Sequence, residues 1–206
     1  AAHELAGVQM LKPMNRSVQY IQQHRGLSAG LLGGNESMKD NRTAKEKEAA
    51  DALQATEATL PPLLTSSADW KKIRADWESL RSQGLTWSVA DNIKAHNSLI
   101  DQLLQFMVVV ADETELSLDP AMDTFYMMDT VVVKMPAMLE RLGQTRARGT
   151  GVLAKKEISQ QMKIDMASTL AEMSSTLRAQ NINLQKVMRF APGLQGALAG
   201  PGKEFS

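Results

Sequence analysis

From Met14 to Leu32 the side chains fall on one line at intervals of 4, 3, 4, 3 and 4: Met14, Val18, Ile21, Arg25, Ser28 and Leu32. That period belongs to a helix packing one seam against a partner helix, and a strand cannot reproduce it. One position on the seam is an arginine. A guanidinium carried into a helix seam has to meet a counter-charge or reach water, since an unpaired buried charge costs several kcal/mol.

The line returns 121 positions later as Met135, Leu139, Leu142, Arg146, Gly149 and Leu153. Around the arginines, Gln23–Leu32 (QHRGLSAGLL) aligns without a gap on Gln144–Leu153 (QTRARGTGVL), with Gln, Arg, Gly and Leu identical at four of ten places. This reads as an internal repeat of one helical unit. Arg25 and Arg146 then stand at equivalent points of equivalent helices, which suggests a pseudo-two-fold pocket with a guanidinium from each side.

Two guanidinium groups that converge repel by about 4 kcal/mol at 4 Å and an effective dielectric of 20. A bound anion relieves that repulsion. The planar fork of N–H donors fits a planar oxyanion such as nitrate, nitrite or a carboxylate. Gly26, Ser28 and Gly30 beside Arg25, and Gly149, Thr150 and Gly151 beside Arg146, keep the surroundings small. The candidate ligand residues are therefore Arg25, Gly26, Ser28, Arg146, Gly149 and Thr150. The competing reading is structural: each arginine snorkels or pairs with a carboxylate such as Asp91, Asp101 or Asp129, and the glycines serve tight helix packing.

The rest of the chain is punctuated into helices. The first runs to about Leu32, with Pro13 beginning or kinking it and Gly33, Gly34 and Asn35 stopping it. A second, with a thin apolar face, spans about Arg42 to Thr59 before Pro61 and Pro62. Ser67 or Asp69 caps a third, carrying Trp70, Ile73, Trp77 and Leu80. Ser88 and Asp91 form a capping-box-like start for a fourth, to about Glu113, with Ile93, Asn97, Ile100, Leu104, Met107 and Ala111 on its stripe. Asp119 and Pro120 open a fifth, to about Lys155, kinked at Pro136. The sixth runs from Ser159 to Phe190, with Leu170, Met173, Leu177, Leu184 and Val187 on one face. The fold expected is all-α, an elongated antiparallel bundle of about six helices with an internal pseudo-repeat, in one domain over 1–206. Residues 193–206 read as a frayed end or the start of another element.

Composition narrows the chemistry. With 23 basic and 23 acidic residues, no global field recruits nucleic acid or an anionic membrane surface. Cysteine is absent, which excludes disulfides and thiol chemistry. The three histidines, His3, His24 and His96, have no metal-ligand spacing, so no metal and no cofactor are expected. His24, one position off the seam, reads as a rim residue, and Asn97 as a polar residue that fixes helix register. No catalytic constellation or cofactor fingerprint is found, so an enzyme is not expected.

At its two arginine motifs the chain resembles the nitrate- and nitrite-sensing (NIT) family of bacterial chemoreceptors, sensor kinases, cyclic-di-GMP enzymes and a cytosolic antiterminator. The early motif, of ERG type in that family, reads QHRG here, with His24 in the acidic place; the later one, near GQERA, reads GQTRA over Gly143–Ala147. The segment LDPAMDTFYMMDTVVVKMPAMLERLGQTRARG, Leu118 onward, is also similar to extracytoplasmic sensor regions of methyl-accepting chemotaxis proteins. The resemblance implies long antiparallel helices and ligand arginines at Arg25 and Arg146. It also implies a homodimeric sensor module in the periplasmic part of an inner-membrane receptor, held by flanking transmembrane helices that this chain does not include. A sensor of an organic acid or amino acid, and a non-signalling helical scaffold with structural arginines, are the competing readings.

Overall fold

The computed structural model describes residues 2–114, 122–155, 158–194 and 196. Among these, all regular structure is helical, as the seams require. The described helices are α1 (Ala2–Leu32), α2 (Lys39–Thr59), α3 (Pro62–Thr65), α4 (Ala68–Gln83), α5 (Val89–Glu113), α6 (Met122–Met128), α7 (Met135–Lys155) and α8 (Gln160–Phe190). The chain divides into two compact units, Ala1–Thr114 and Glu115–Ser206. The expected Asp119–Pro120 helix start lies outside the described residues, as does most of 193–206.

The local signals hold where they can be followed. Pro13 is accommodated inside α1, which begins a full turn or more before it. At the other end, the Asn35 N–H reaches the Gly30 carbonyl (3.0 Å) and the Gly34 N–H reaches Leu31 (2.9 Å). This is the paired closure of a Schellman motif, and it needs the left-handed residue that Gly34 supplies at φ 98°. Ser67, Ser88 and Ser159 each accept the backbone N–H three residues on, so Ser67 rather than Asp69 is the cap of α4. The second helix starts earlier than expected, at Lys39, behind a 3₁₀ turn over Glu36–Met38.

Before Pro136, where a kink is expected, the chain forms a π turn over Asp129–Lys134, between α6 and α7. Proline has no N–H, and its ring crowds the carbonyl four residues back. Widening the preceding turn resolves this: the Met135 N–H reaches past the usual acceptor to Thr130, five residues back.

In the first unit α1 packs on α2 and α5, and α4 on α5. The pairs Ser17–Thr56 and Ser28–Arg42 show α1 and α2 antiparallel. The core holds Met14, Val18 and Ile21 of α1, Leu53 of α2, Trp70, Ile73, Trp77 and Leu80 of α4, and Leu99, Leu103, Phe106 and Val110 of α5. Trp70 lies against Phe106 at 5.4 Å between ring centroids. The buried face of α5 is wider than the expected line: Ile100, Met107 and Ala111 of that line are buried and Ile93, Asn97 and Leu104 half-buried, while the adjoining line Asn92, His96, Leu99, Leu103, Phe106 and Val110 is buried throughout.

In the second unit α6 and α7 run antiparallel to α8, from Tyr126–Lys186 through Asp129–Asn183 to the Arg141–Glu172 ion pair. The inward line of α8 is Met166, Thr169, Met173, Thr176, Gln180, Asn183 and Val187, half-buried to buried. Leu170 and Leu177, expected on that face, point outward at 53% and 48% exposure. On α7 the repeated seam is also turned out: Met135, Leu139 and Leu142 are about as exposed.

Candidate functional site

The first unit buries a polar cluster where α1, α2, α4 and α5 meet. Arg25, 3% exposed, donates from Nη1 to Asn97 Oδ1 at 2.7 Å. Asn97 is thus an arginine-orienting acceptor. Ser28, also buried, accepts from Arg42 Nε at 3.0 Å. Arg42, on α2, is 5% exposed and its Nη1 pairs with Glu46 at 2.9 Å.

His24 is not a rim residue. It is fully buried, because its position lies on the adjoining line Met14, Ser17, Ile21, His24 and Ser28, which faces the same interior. Its ring stands edge-on to Trp77 at 5.4 Å. Its Nδ1 lies 2.8 Å from His96 Nε2, and His96 Nδ1 lies 2.8 Å from the Asn92 carbonyl.

Elementary donor and acceptor rules fix the protons of this chain. A carbonyl only accepts, so His96 carries its proton on Nδ1 and accepts at Nε2. His24 therefore donates from Nδ1, and its Nε2 bears a lone pair. That nitrogen has no hydrogen-bond partner, with Glu46 Oε2 3.7 Å away. Burial, then His96 and the Arg42 charge, push the His24 pKa down to about 2. Burial, with Arg25 and Arg42, lowers His96 to about 4 despite its bond to Asn92. Both rings are neutral at physiological pH, so the His24–Glu46 approach is no ion pair.

Among the described residues of the cluster, His24 Nε2, Arg42 Nη2 and Asn92 Oδ1 stand without hydrogen-bond partners. A buried polar atom left unpaired costs about 1–3 kcal/mol. The arrangement offers guanidinium donors in a water-poor setting, where charge-assisted hydrogen bonds to an oxyanion are strong. Among the described residues no group of three acidic or histidine side chains is placed to hold a metal ion.

The other candidate residues are distributed as follows. Gly26 is exposed, and an added Cβ there would meet nothing within 4 Å. Gly30 has a packing role, since an added Cβ would run into the Met38 side chain. Arg146 lies on the exposed side of α7 and Gly149 is half-buried beside open space. Thr150 belongs to α7, but its side chain lies outside the described residues.

Sequence reasoning missed His96, Asn92, Arg42 and Glu46. The signal existed. Arg42, Glu46, Ala49, Leu53 and Thr56 follow intervals of 4, 3, 4 and 3, and Asn92, His96, Leu99, Leu103, Phe106 and Val110 extend the same rule on α5. Polar residues at the ends of those lines disguised them.

All regular structure among the described residues is helical, and the first unit buries the guanidinium groups of Arg25 and Arg42. The chain belongs to the nitrate and nitrite sensing (NIT) family, whose model matches residues 17–199. Its role is therefore sensory. No curated protein and no solved structure matches it. Among the described residues no helix is long and apolar enough to cross a membrane.

Proposed function

We propose that this chain is the ligand-binding module of a bacterial transmembrane receptor, sensing a small planar anion such as nitrate or nitrite through Arg25 and Arg146. The observation that carries the reading is the buried Arg25, oriented by Asn97, inside a chain that the family model matches over residues 17–199. Gly26 and Ser28 beside Arg25, and Gly149 and Thr150 beside Arg146, complete the proposed set of ligand residues. The match runs across both compact units, which supports one sensory module over the whole chain. The module works as a homodimer in the periplasm, between transmembrane helices of the full-length receptor, and has no catalytic role.

Binding is useful to a receptor only if the anion favours one helix arrangement over another. Displacements of about 1–2 Å between packed helices are enough to carry such a signal.

Calorimetric titration at low salt with nitrate, nitrite and a panel of small carboxylates tests the proposal. The expected outcome is saturable binding of nitrate or nitrite that Arg25→Ala and Arg146→Ala both abolish. Tight binding of a carboxylate alone would replace the ligand class. No heat with any anion, together with loss of stability in both variants, would make the arginines structural.

A further inference from the structure

Anion sensing through Arg25 and Arg146 leaves one guanidinium of the cluster without an assigned role, and a ligand role for it rests on that proposed function. Arg42 is held on two of its three nitrogens, by Ser28 Oγ at Nε and by Glu46 at Nη1. Its third nitrogen, Nη2, is buried and has no hydrogen-bond partner. A structural arginine on a helix surface would turn such a nitrogen to water. Here only 6% of the side chain is exposed, and two short contacts fix its orientation.

We propose that Arg42 is a further anion-contacting residue: its Nη2 donates to an oxygen of a planar oxyanion of the nitrate class, while Ser28 and Glu46 hold the guanidinium in position. The chemistry fits the donor set. Nη2 carries two N–H groups, neither of them taken by the fold, and so can donate to one or two oxygens of a planar anion. Ser28 uses its oxygen to accept from Nε, which leaves its hydroxyl hydrogen free to point at the same anion. A point-like ammonium at this position would not reproduce the fork.

The surroundings discriminate between ligands. Glu46, from α2, repels an anion that reaches beyond the guanidinium. His24, from α1, presents a lone pair rather than a proton, with His96 of α5 and the Trp77 ring of α4 packed behind it. The Arg25 charge, also from α1, is felt at His96 alongside that of Arg42. Small anions with delocalised charge suit this ring of groups, and extended dicarboxylates do not.

The test uses the whole chain with arginine side chains isotopically labelled for nuclear magnetic resonance, titrated with sodium nitrate and sodium nitrite against sodium chloride at constant ionic strength. The expected result is a saturable shift of the Arg42 Nε and Nη signals with nitrate or nitrite and none with chloride. Arg42→Lys should weaken the same anion by about tenfold while melting within a few degrees of the parent. Unmoved Arg42 signals at saturation would overturn the proposal, as would a folded Arg42→Lys protein that binds as tightly as the parent. The labelled parent decides the matter even if the variant does not fold. Parent protein that binds neither anion would be a different failure, that of anion sensing itself, and would take this subsite with it.

Discussion

His24 and His96 hold each other in one protonation state, and the cost of disturbing it is measurable. In the unfolded chain each titrates near 6.5, whereas in the fold burial holds them at about 2 and about 4. Below 6.5 the unfolded state therefore binds more protons than the folded one, and stability falls with pH. The expected loss is about 1.4 kcal/mol per pH unit for each histidine once the pH is well under 6.5. It should ease near pH 4, where folded His96 begins to titrate. Urea unfolding midpoints measured between pH 7 and 4.5 should fall steadily, and His96→Gln should flatten part of that slope. A parent protein whose midpoint does not change over this range would contradict the buried neutral pair. Arg25 adds a second residue-scale expectation. Replacing Asn97 by Ala leaves its guanidinium short of an oriented acceptor, at a cost of about 1.5–3 kcal/mol, the range for a hydrogen bond to a charged group.

At the scale of elements, the polar residues that face inward decide which surfaces pair. Asn183 on α8 donates to Asp129 at 2.7 Å and to Thr130 at 3.2 Å, and so clips α8 onto the π turn that Pro136 imposes. Asn183→Leu should destabilise the second unit by about 1–3 kcal/mol, although leucine is the more hydrophobic residue, because Thr130 Oγ1 loses its donor and Asp129 keeps only Lys134. Thermal melts followed by circular dichroism would detect it, and an unchanged or higher midpoint would show that the clip is dispensable. The helices themselves were legible because their punctuation is chemical: Gly34 at a positive φ, serine caps and paired prolines act over three or four residues. Which face each helix buries was less legible. The seam of α1 followed from its apolar residues, but the inward line of α8 contains Thr169, Thr176, Gln180 and Asn183, while Leu170 and Leu177 point out. Hydrophobicity read alone finds Met173 and Val187 on that face but wrongly adds Leu170 and Leu177. The same blindness hid the site, where Arg25 was visible as an intruder on an apolar line, whereas Arg42, Asn92 and His96 lie on lines that are polar at one end.

For the whole molecule, a net charge of zero means that an anion is not drawn in by a long-range field, so affinity has to come from the buried guanidinium donors. On the proposed reading these donors are partly desolvated before the ligand arrives, and the ligand makes the hydrogen bond that Arg42 Nη2 lacks in the folded chain. Binding to the folded state alone shifts the unfolding equilibrium by mass action. Nitrate or nitrite at a hundred times its dissociation constant should add about 2.7 kcal/mol of stability. For a chain of this size, that corresponds to a rise of roughly 5–10 °C in the melting midpoint. Sodium chloride at equal ionic strength should give far less, because it screens exposed charges without matching a guanidinium fork. Arg25→Ala should lower the midpoint without ligand and remove the nitrate-dependent rise as well. If the variant loses stability but keeps the full rise, Arg25 belongs to the scaffold and the anion is held by other donors, with Arg42 the first to examine.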